Sequence, residues 1–189
     1  MLIIAHRGNM EDQPEDTAEA IWDAARLGAD GIEFDAHQSA DGTWWVIHDP
    51  TVDRTTNGAG WVWQMTDVEL RSLTIDAGPG FRAGQRIGLS RLDDLLAGLG
   101  AYPGWLYVDL QHAVVANPSS LALLLDSSDA FVICRNESDV SALAASTVRS
   151  IIRPSKAAPD SASDAFLPES VGEASLETLA NASAHQPGL

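Results

Sequence analysis

Glu33 and Asp35, in the run Asp30-Gly31-Ile32-Glu33-Phe34-Asp35, are the pair whose types and spacing best suit chemistry. Two apart on a β-strand, they share one face and leave Ile32 and Phe34 on the other. Their Cα atoms then stand roughly 6.6–6.8 Å apart, which lets both carboxylates converge on one cation. Acids buried there without a counter-charge would each cost several kcal/mol, so that face meets either water or a cation. Two further stretches favour the second choice. Leu2-Ile3-Ile4-Ala5 reads as a strand running into His6-Arg7-Gly8, and Thr43 to His48 as another ending in histidine. In parallel βα architectures the carboxyl ends of the strands carry the active site. Imidazoles titrate near neutrality, so His6 and His48 can serve as base and acid in one turnover. Arg7 can grip an oxyanion in bidentate fashion. Trp105 to Gln111 is a fourth strand, with Asp109 and Gln111 on its inward face. Glu33, Asp35 and Asp109 together form an all-oxygen set that favours a hard ion such as Mg²⁺, Ca²⁺ or Mn²⁺ over zinc.

The elements between these residues follow from periodicity and breakers. Thr17 to Gly28 carries Ala18, Ile21, Trp22, Ala25 and Leu27 at helical spacing, with Glu15-Asp16-Thr17 able to cap it and Gly28 to stop it. Asp41-Gly42 is a tight-turn signal before the Thr43–His48 strand. Ser90 to Leu96 opens another helix. Phe131–Cys134 and Ser150–Ile152 read as strands ending at Arg135 and Arg153, with a helix over Glu137–Ala145 between them. Ser155 to Ala165 is a loop-like stretch of Ala, Ser, Pro and Asp. It is followed by a poor strand at Ala165–Pro168 and a helix candidate at Ser175–Ala184.

Composition narrows the class. A net charge of −16, with Lys156 as the only lysine, argues against a nucleic-acid or anionic-membrane surface. Cys134 is the single cysteine, which excludes an intrachain disulfide and a cysteine-based zinc site. No apolar run approaches the roughly 18 residues of a membrane span. Met1 to Ala5 is too short for a signal peptide, so a cytoplasmic location is expected.

In order and spacing, His6-Arg7-Gly8, Pro14-Glu15-Asp16-Thr17, Gly28-Ala29-Asp30, Glu33-Phe34-Asp35, Asp41-Gly42, His48-Asp49 and Arg54-Thr55-Thr56 resemble the glycerophosphodiester phosphodiesterase family. The resemblance implies an α/β fold, a TIM-type (β/α) barrel, with a small insertion over residues 50–88 after strand three. The barrel core would span 1–153. A weakly defined segment, 154–189, would leave the barrel shortened or incomplete at its C-terminus, since nothing there matches the family's eighth strand. The resemblance also implies hydrolysis of a small-molecule glycerophosphodiester to glycerol 3-phosphate and an alcohol. One divalent cation, Mg²⁺ or Ca²⁺, would be held by Glu33, Asp35 and Asp109, with Glu15 touching metal or substrate. His6 and His48 would do the acid–base work and Arg7 would bind phosphate. Five positions depart from the family pattern: Asp16 for Asn, Ser90-Arg91 for Pro-Thr, Asp109 for Glu, and Gln111 for Lys. The last leaves a cation to be replaced, and Arg153 is the expected substitute ahead of Arg135. Two alternatives stand beside this reading: a weakened glycerophosphoryl-binding module, and a lysophospholipid-cleaving phospholipase D of related fold. His37 is taken to face away from Asp35 and, with His112 and His185, to serve at the surface. An oligomer is left open.

Overall fold

A computed structural model of the chain describes residues 2–110, 118–126, 128–134, 140, 141, 143 and 149–152. Its strands are β1 (Ile4–His6), β2 (Gly31–Gln38), β3 (Trp44–Val46), β4 (Ser90–Arg91), β5 (Trp105–Asp109), β6 (Ala130–Cys134) and β7 (Arg149–Ile152). The helices are α1 (Ala18–Arg26), α2 (Asp67–Arg71), α3 (Leu92–Leu99) and α4 (Pro118–Leu125). Strands β1, β2, β5, β6 and β7 run parallel, each beside the next, while β3 pairs antiparallel with β2 and β4 antiparallel with β3. Among the described residues the sheet is open and mixed. No helix among them is long and apolar enough to cross a membrane.

Alternation along β2 divides it as its sequence requires. Ile32, Phe34 and Ala36 enter the main core, where they meet Ile21 and Ala24 of α1, Leu92 and Leu95 of α3, and Leu121 and Leu125 of α4. The other face is left to Glu33, Asp35 and His37. Helix α1 starts at Thr17, whose Oγ1 accepts from Ala20 N–H at 3.2 Å and donates to Pro14 C=O at 2.7 Å. Ser90, standing where proline is usual, accepts from Ala18 N–H at 2.7 Å and so satisfies another open donor of that first turn. The buried stripe of α1 is Ala18, Ala20, Ile21 and Ala24. Trp22 and Leu27, expected on that stripe, are 37% and 63% exposed. Alanines win the inner face because α1 sits tight against Gly8, leaving the Trp22 ring to lie across Gly98 of α3 and donate from Nε1 to Leu95 C=O at 3.0 Å. Helix α4 is absent from the sequence expectations. Its run of leucines is apolar all round, with Leu123 80% exposed, so it shows no clear stripe.

The largest correction concerns β3. The Thr43–His48 stretch is expected to be a third parallel strand with His48 at its carboxyl end; instead it returns antiparallel along the end of β2, in register Ala36↔Val46 and Gln38↔Trp44. Gly42, at φ +88°, makes the reversal. Trp44 and Val46 face the main core, whereas Trp45 and Ile47 point the other way. That second face seeds a separate small core with Val52, Val62, Leu70 and Leu73, so the 50–88 insertion has its own packing. Trp61 and Trp63 of the insertion pack on each other, ring centroids 4.6 Å apart. The expected segment 154–189, with its strand at Ala165–Pro168 and helix at Ser175–Ala184, lies outside the described residues, as does most of the Glu137–Ala145 helix.

Gly8 is the position where the packing of α1 admits no side chain. Its φ is +82°, and a Cβ there would stand 2.5 Å from Ala20 C and 2.8 Å from Ala20 Cβ. Gly8→Ala is expected to destabilise the protein by about 2 kcal/mol or more, measured by denaturant unfolding.

Candidate active site

Strand register assembles the site. His6 lies opposite Glu33 on the β1–β2 pair, and Asp35 lies opposite Asp109 on the β2–β5 pair. Each of Glu33, Asp35 and Asp109 offers a carboxylate oxygen within 4.8 Å of the other two. Below them Tyr107, opposite Glu33, stacks on Phe131 at 5.4 Å, an apolar floor. Burial, with Asp35 and Asp109 close by, pushes the Glu33 carboxyl well above the usual carboxylate range. Burial does the same to Asp35, reinforced by Asp16 and Asp109. Such a set, all oxygen and short of positive charge, fits a hard divalent cation, which would relieve the repulsion that now raises these groups.

Arg7 is the cation the chain itself provides here. It and Asp16 are the two non-glycine residues with left-handed backbone among those described, at φ 54° and 52°. The kink after β1 carries the guanidinium inward while Arg7 N–H continues the ladder to Glu33 C=O at 2.8 Å. Nη1 donates to Glu15 Oε2 at 2.8 Å, and Nε lies 3.3 Å from Asp35 Oδ2 and 4.0 Å from Asp16 Oδ2. Glu15 and Asp16 are set in place by the Thr17 cap behind them and by Glu15 N–H donating to Pro79 C=O at 3.0 Å. Glu15, expected beside the metal or substrate, has one carboxylate oxygen on Arg7 and the other 2.5 Å from Arg54 Nη2.

The two histidines reach this place from opposite directions along one edge of β2. Arg7 N–H takes the Glu33 carbonyl and Ile47 N–H takes the Asp35 carbonyl, two residues on and therefore on the same edge. His6 thus rises beside Glu33, with Nε2 3.7 Å from Glu33 Oε2, and His48 descends just past Asp35. His48 Nδ1 is 2.6 Å from Asp49 Oδ1, and Arg54 clasps Asp49 with Nε at 2.6 Å and Nη2 at 3.0 Å. Against burial, which would raise it, the hydrogen bonds from His48 and Arg54 hold the Asp49 carboxyl far below its ordinary range. His37 corrects an expectation: it is 1% exposed, and its Nε2 is 3.1 Å from the His48 carbonyl oxygen. β2 stays regular to Gln38, so positions 33, 35 and 37 share one face, and that parity was available in the sequence. Asp49 and Arg54 belong to the His48-Asp49 and Arg54-Thr55-Thr56 motifs, to which the sequence reading gave no role; adjacency to His48 was the signal for Asp49, and the motif itself was the signal for Arg54. Gln111, Arg135 and Arg153 lie outside the described residues.

The model of the glycerophosphoryl diester phosphodiesterase family matches residues 6–104, more than half of the chain. The chain belongs to that family. A curated relative, the glycerophosphodiester phosphodiesterase of Caldanaerobacter subterraneus subsp. tengcongensis, is 52% identical over 89 residues, covering 46% of this chain and 36% of the relative. Glycerophosphodiester phosphodiesterase 1 of Bos taurus is 49% identical over 70 residues, covering 37% of this chain and 21% of its own length. The matched part is therefore about a third or less of those relatives. Among solved structures, a glycerophosphodiester phosphodiesterase from Agrobacterium tumefaciens is 35% identical with a TM-score of 0.66, covering 77% of this chain and 62% of that one. A phosphodiesterase of Oleispira antarctica, solved with the product sn-glycerol-3-phosphate, shares the fold with a TM-score of 0.68 at 23% identity, covering 80% of this chain and 64% of that one.

Asp16 stands where this family usually has asparagine, and its left-handed backbone explains the usual choice. Burial, then the charges of Glu33 and Glu15, raise its carboxyl well above the ordinary value despite Arg7. An acid whose folded pKa is raised binds more protons folded than unfolded, so its contribution falls as pH rises above the usual carboxylate range. Asp16→Asn keeps an oxygen to accept from Asp35 N–H, now 3.2 Å from Asp16 Oδ1. This variant is expected to be more stable than the parent at neutral pH by roughly 1 kcal/mol, about 2–4 °C in Tm, with the gain shrinking toward about pH 4. Thermal unfolding across that range checks it.

Proposed function

We propose that this chain catalyses metal-dependent hydrolysis of glycerophosphodiesters to glycerol 3-phosphate and an alcohol, from a TIM-type (β/α) barrel in which β1, β2, β5, β6 and β7 are successive strands. The observation that carries the reading is the convergence of Glu33, Asp35 and Asp109 beside two histidines that meet on one edge of β2. The names of the relatives, and the product held by the Oleispira antarctica protein, support the substrate class. They favour neither a binding-only module nor a lysophospholipid-cleaving phospholipase D.

In this reading Glu33, Asp35 and Asp109 hold one Mg²⁺ or Ca²⁺, with Glu15 in contact with metal or substrate. A hard divalent cation there supplies neutralisation for charge that builds on the phosphoryl oxygens. Arg7, locked by Glu15 and Asp35, adds a fixed positive charge for the phosphate. One of His6 and His48 takes the proton of the glycerol hydroxyl next to the phosphodiester, and that oxygen attacks phosphorus. The other gives its proton to the departing alcohol. Water then opens the cyclic phosphate, with the two imidazoles exchanging roles. His37 supports this from behind, through the His48 carbonyl.

Turnover of glycerophosphocholine with Mg²⁺ or Ca²⁺ tests the reading. His6→Ala and His48→Ala are each expected to lower kcat by about 100-fold or more. Titration calorimetry is expected to find one divalent site that Glu33→Gln weakens. Glycerol phosphate binding without hydrolysis of any glycerophosphodiester would support the binding-module alternative instead.

A further inference from the structure

Arg54 occupies a place between the two ends of the site. Its Nε and Nη2 hold both oxygens of Asp49 at 2.6 and 3.0 Å, and Nη2 also stands 2.5 Å from Glu15 Oε1. Asp49 Oδ1 meets His48 Nδ1 at 2.6 Å, and Glu15 Oε2 accepts from Arg7 Nη1 at 2.8 Å. A continuous chain therefore runs His48–Asp49–Arg54–Glu15–Arg7, from the imidazole to the guanidinium assigned to the phosphate. A planar fork grips both oxygens of Asp49 with two nitrogens while also reaching Glu15, a geometry that the single nitrogen of an ammonium does not reproduce. The backbone beneath Arg54 is firmly set. Val52, Thr55 and Thr56 are buried, Thr56 N–H and Oγ1–H both donate to Val52 C=O, and Asp76 N–H donates to Thr55 C=O. Val52 belongs to the small core of the 50–88 insertion, so that insertion fixes where Arg54 stands.

The geometry points to Arg54 as a positioning residue, which holds Asp49 so that it accepts the His48 Nδ1 proton and ties that arrangement to Glu15. A neutral His48 held this way carries its proton on Nδ1 and its lone pair on Nε2, the form a general base needs. The inference rests on the acid–base role given to His48 above. Arg54 is 40% exposed at its side chain, so direct contact with the substrate phosphate is the competing role, and kinetics together with the imidazole signal separate the two. A ground-state phosphate contact acts on KM and one made only in the transition state acts on kcat, but neither alters the His48 Nδ1–H signal, whereas loss of imidazole orientation changes both kcat and that signal.

The test uses the whole chain with Mg²⁺, glycerophosphocholine as substrate, and proton NMR of the imidazole N–H protons, with the His48 signal identified by its loss in His48→Ala. Arg54→Gln is expected to lower kcat about tenfold or more with KM changed less than about threefold, and to abolish or broaden the downfield His48 Nδ1–H signal. Arg54→Lys is expected to recover only a minor part of kcat, and it replaces Arg54→Gln if that variant does not fold. A loss confined to KM would make Arg54 a phosphate ligand and overturn the inference. Unchanged kcat, or an undiminished Nδ1–H signal in the folded variant, would overturn it as well. Failure of the underlying reading looks different: His48→Ala would then turn over normally, whatever the NMR signal does in Arg54→Gln.

Discussion

Buried negative charge is the constraint that the rest of this structure accommodates. Glu33 and Asp35 share a face of β2, and parallel register sets Asp109 directly beside Asp35. Glu15 and Asp16 close in from the cap of α1. Arg7 pairs with three of these acids at once, which explains why its backbone and that of Asp16 adopt left-handed conformations that side chains ordinarily avoid. Relaxing either kink would turn the guanidinium or the carboxylate away and leave buried charges uncompensated. Gly8 matters for the same reason, because α1 must approach β1 closely enough for its cap to deliver Glu15 and Asp16.

The two histidines show how one overlong strand builds a site. β2 continues past Asp35 to Gln38, three residues beyond its last pairing with β5. Those residues template β3, and the reversal at Gly42 brings His48 back down to the edge where β1 delivers His6. The insertion completes the arrangement from outside. It takes Trp45 and Ile47 into its own core, anchors the turn that carries Arg54, and through Pro79 supports the loop that bears Glu15.

Much of the site was legible in the sequence because it depends on short-range pattern. A two-residue spacing on a strand fixed Glu33 with Asp35, and a second strand offered Asp109 with the same parity. That parity also placed His37 on the acid face, against the reading that turned it away, and strand regularity through Gln38 makes it buried. The direction of β3 was harder to read. An Asp-Gly turn signals a hairpin, yet a histidine at a strand end fits a parallel strand equally well, and only long-range pairing decides. The pairing between Glu15 and Arg54 was invisible for a related reason. It depends on loops from residues 49–54 and 76–80, far away in sequence, coming to lie against Glu15. The stripe of α1 was misassigned because apolar spacing alone cannot tell a tryptophan that packs over a neighbouring glycine from one in the core.

The central claim is that the Glu33–Asp35–Asp109 cluster is built to be neutralised by a divalent cation. Thermal unfolding at about pH 5 and about pH 7.5, in chelator and then with Mg²⁺ or Ca²⁺, addresses it most directly, with sodium chloride at matched ionic strength as control. Glu33 and Asp35 hold protons above the usual carboxylate range, so the ion-free protein loses their contribution as pH rises and those protons leave. The account predicts a lower Tm at the higher pH in chelator, and a larger rise in Tm on adding the divalent ion there than at the lower pH. A Tm that is indifferent to the ion at both values, and no lower at the higher pH in chelator, would contradict it.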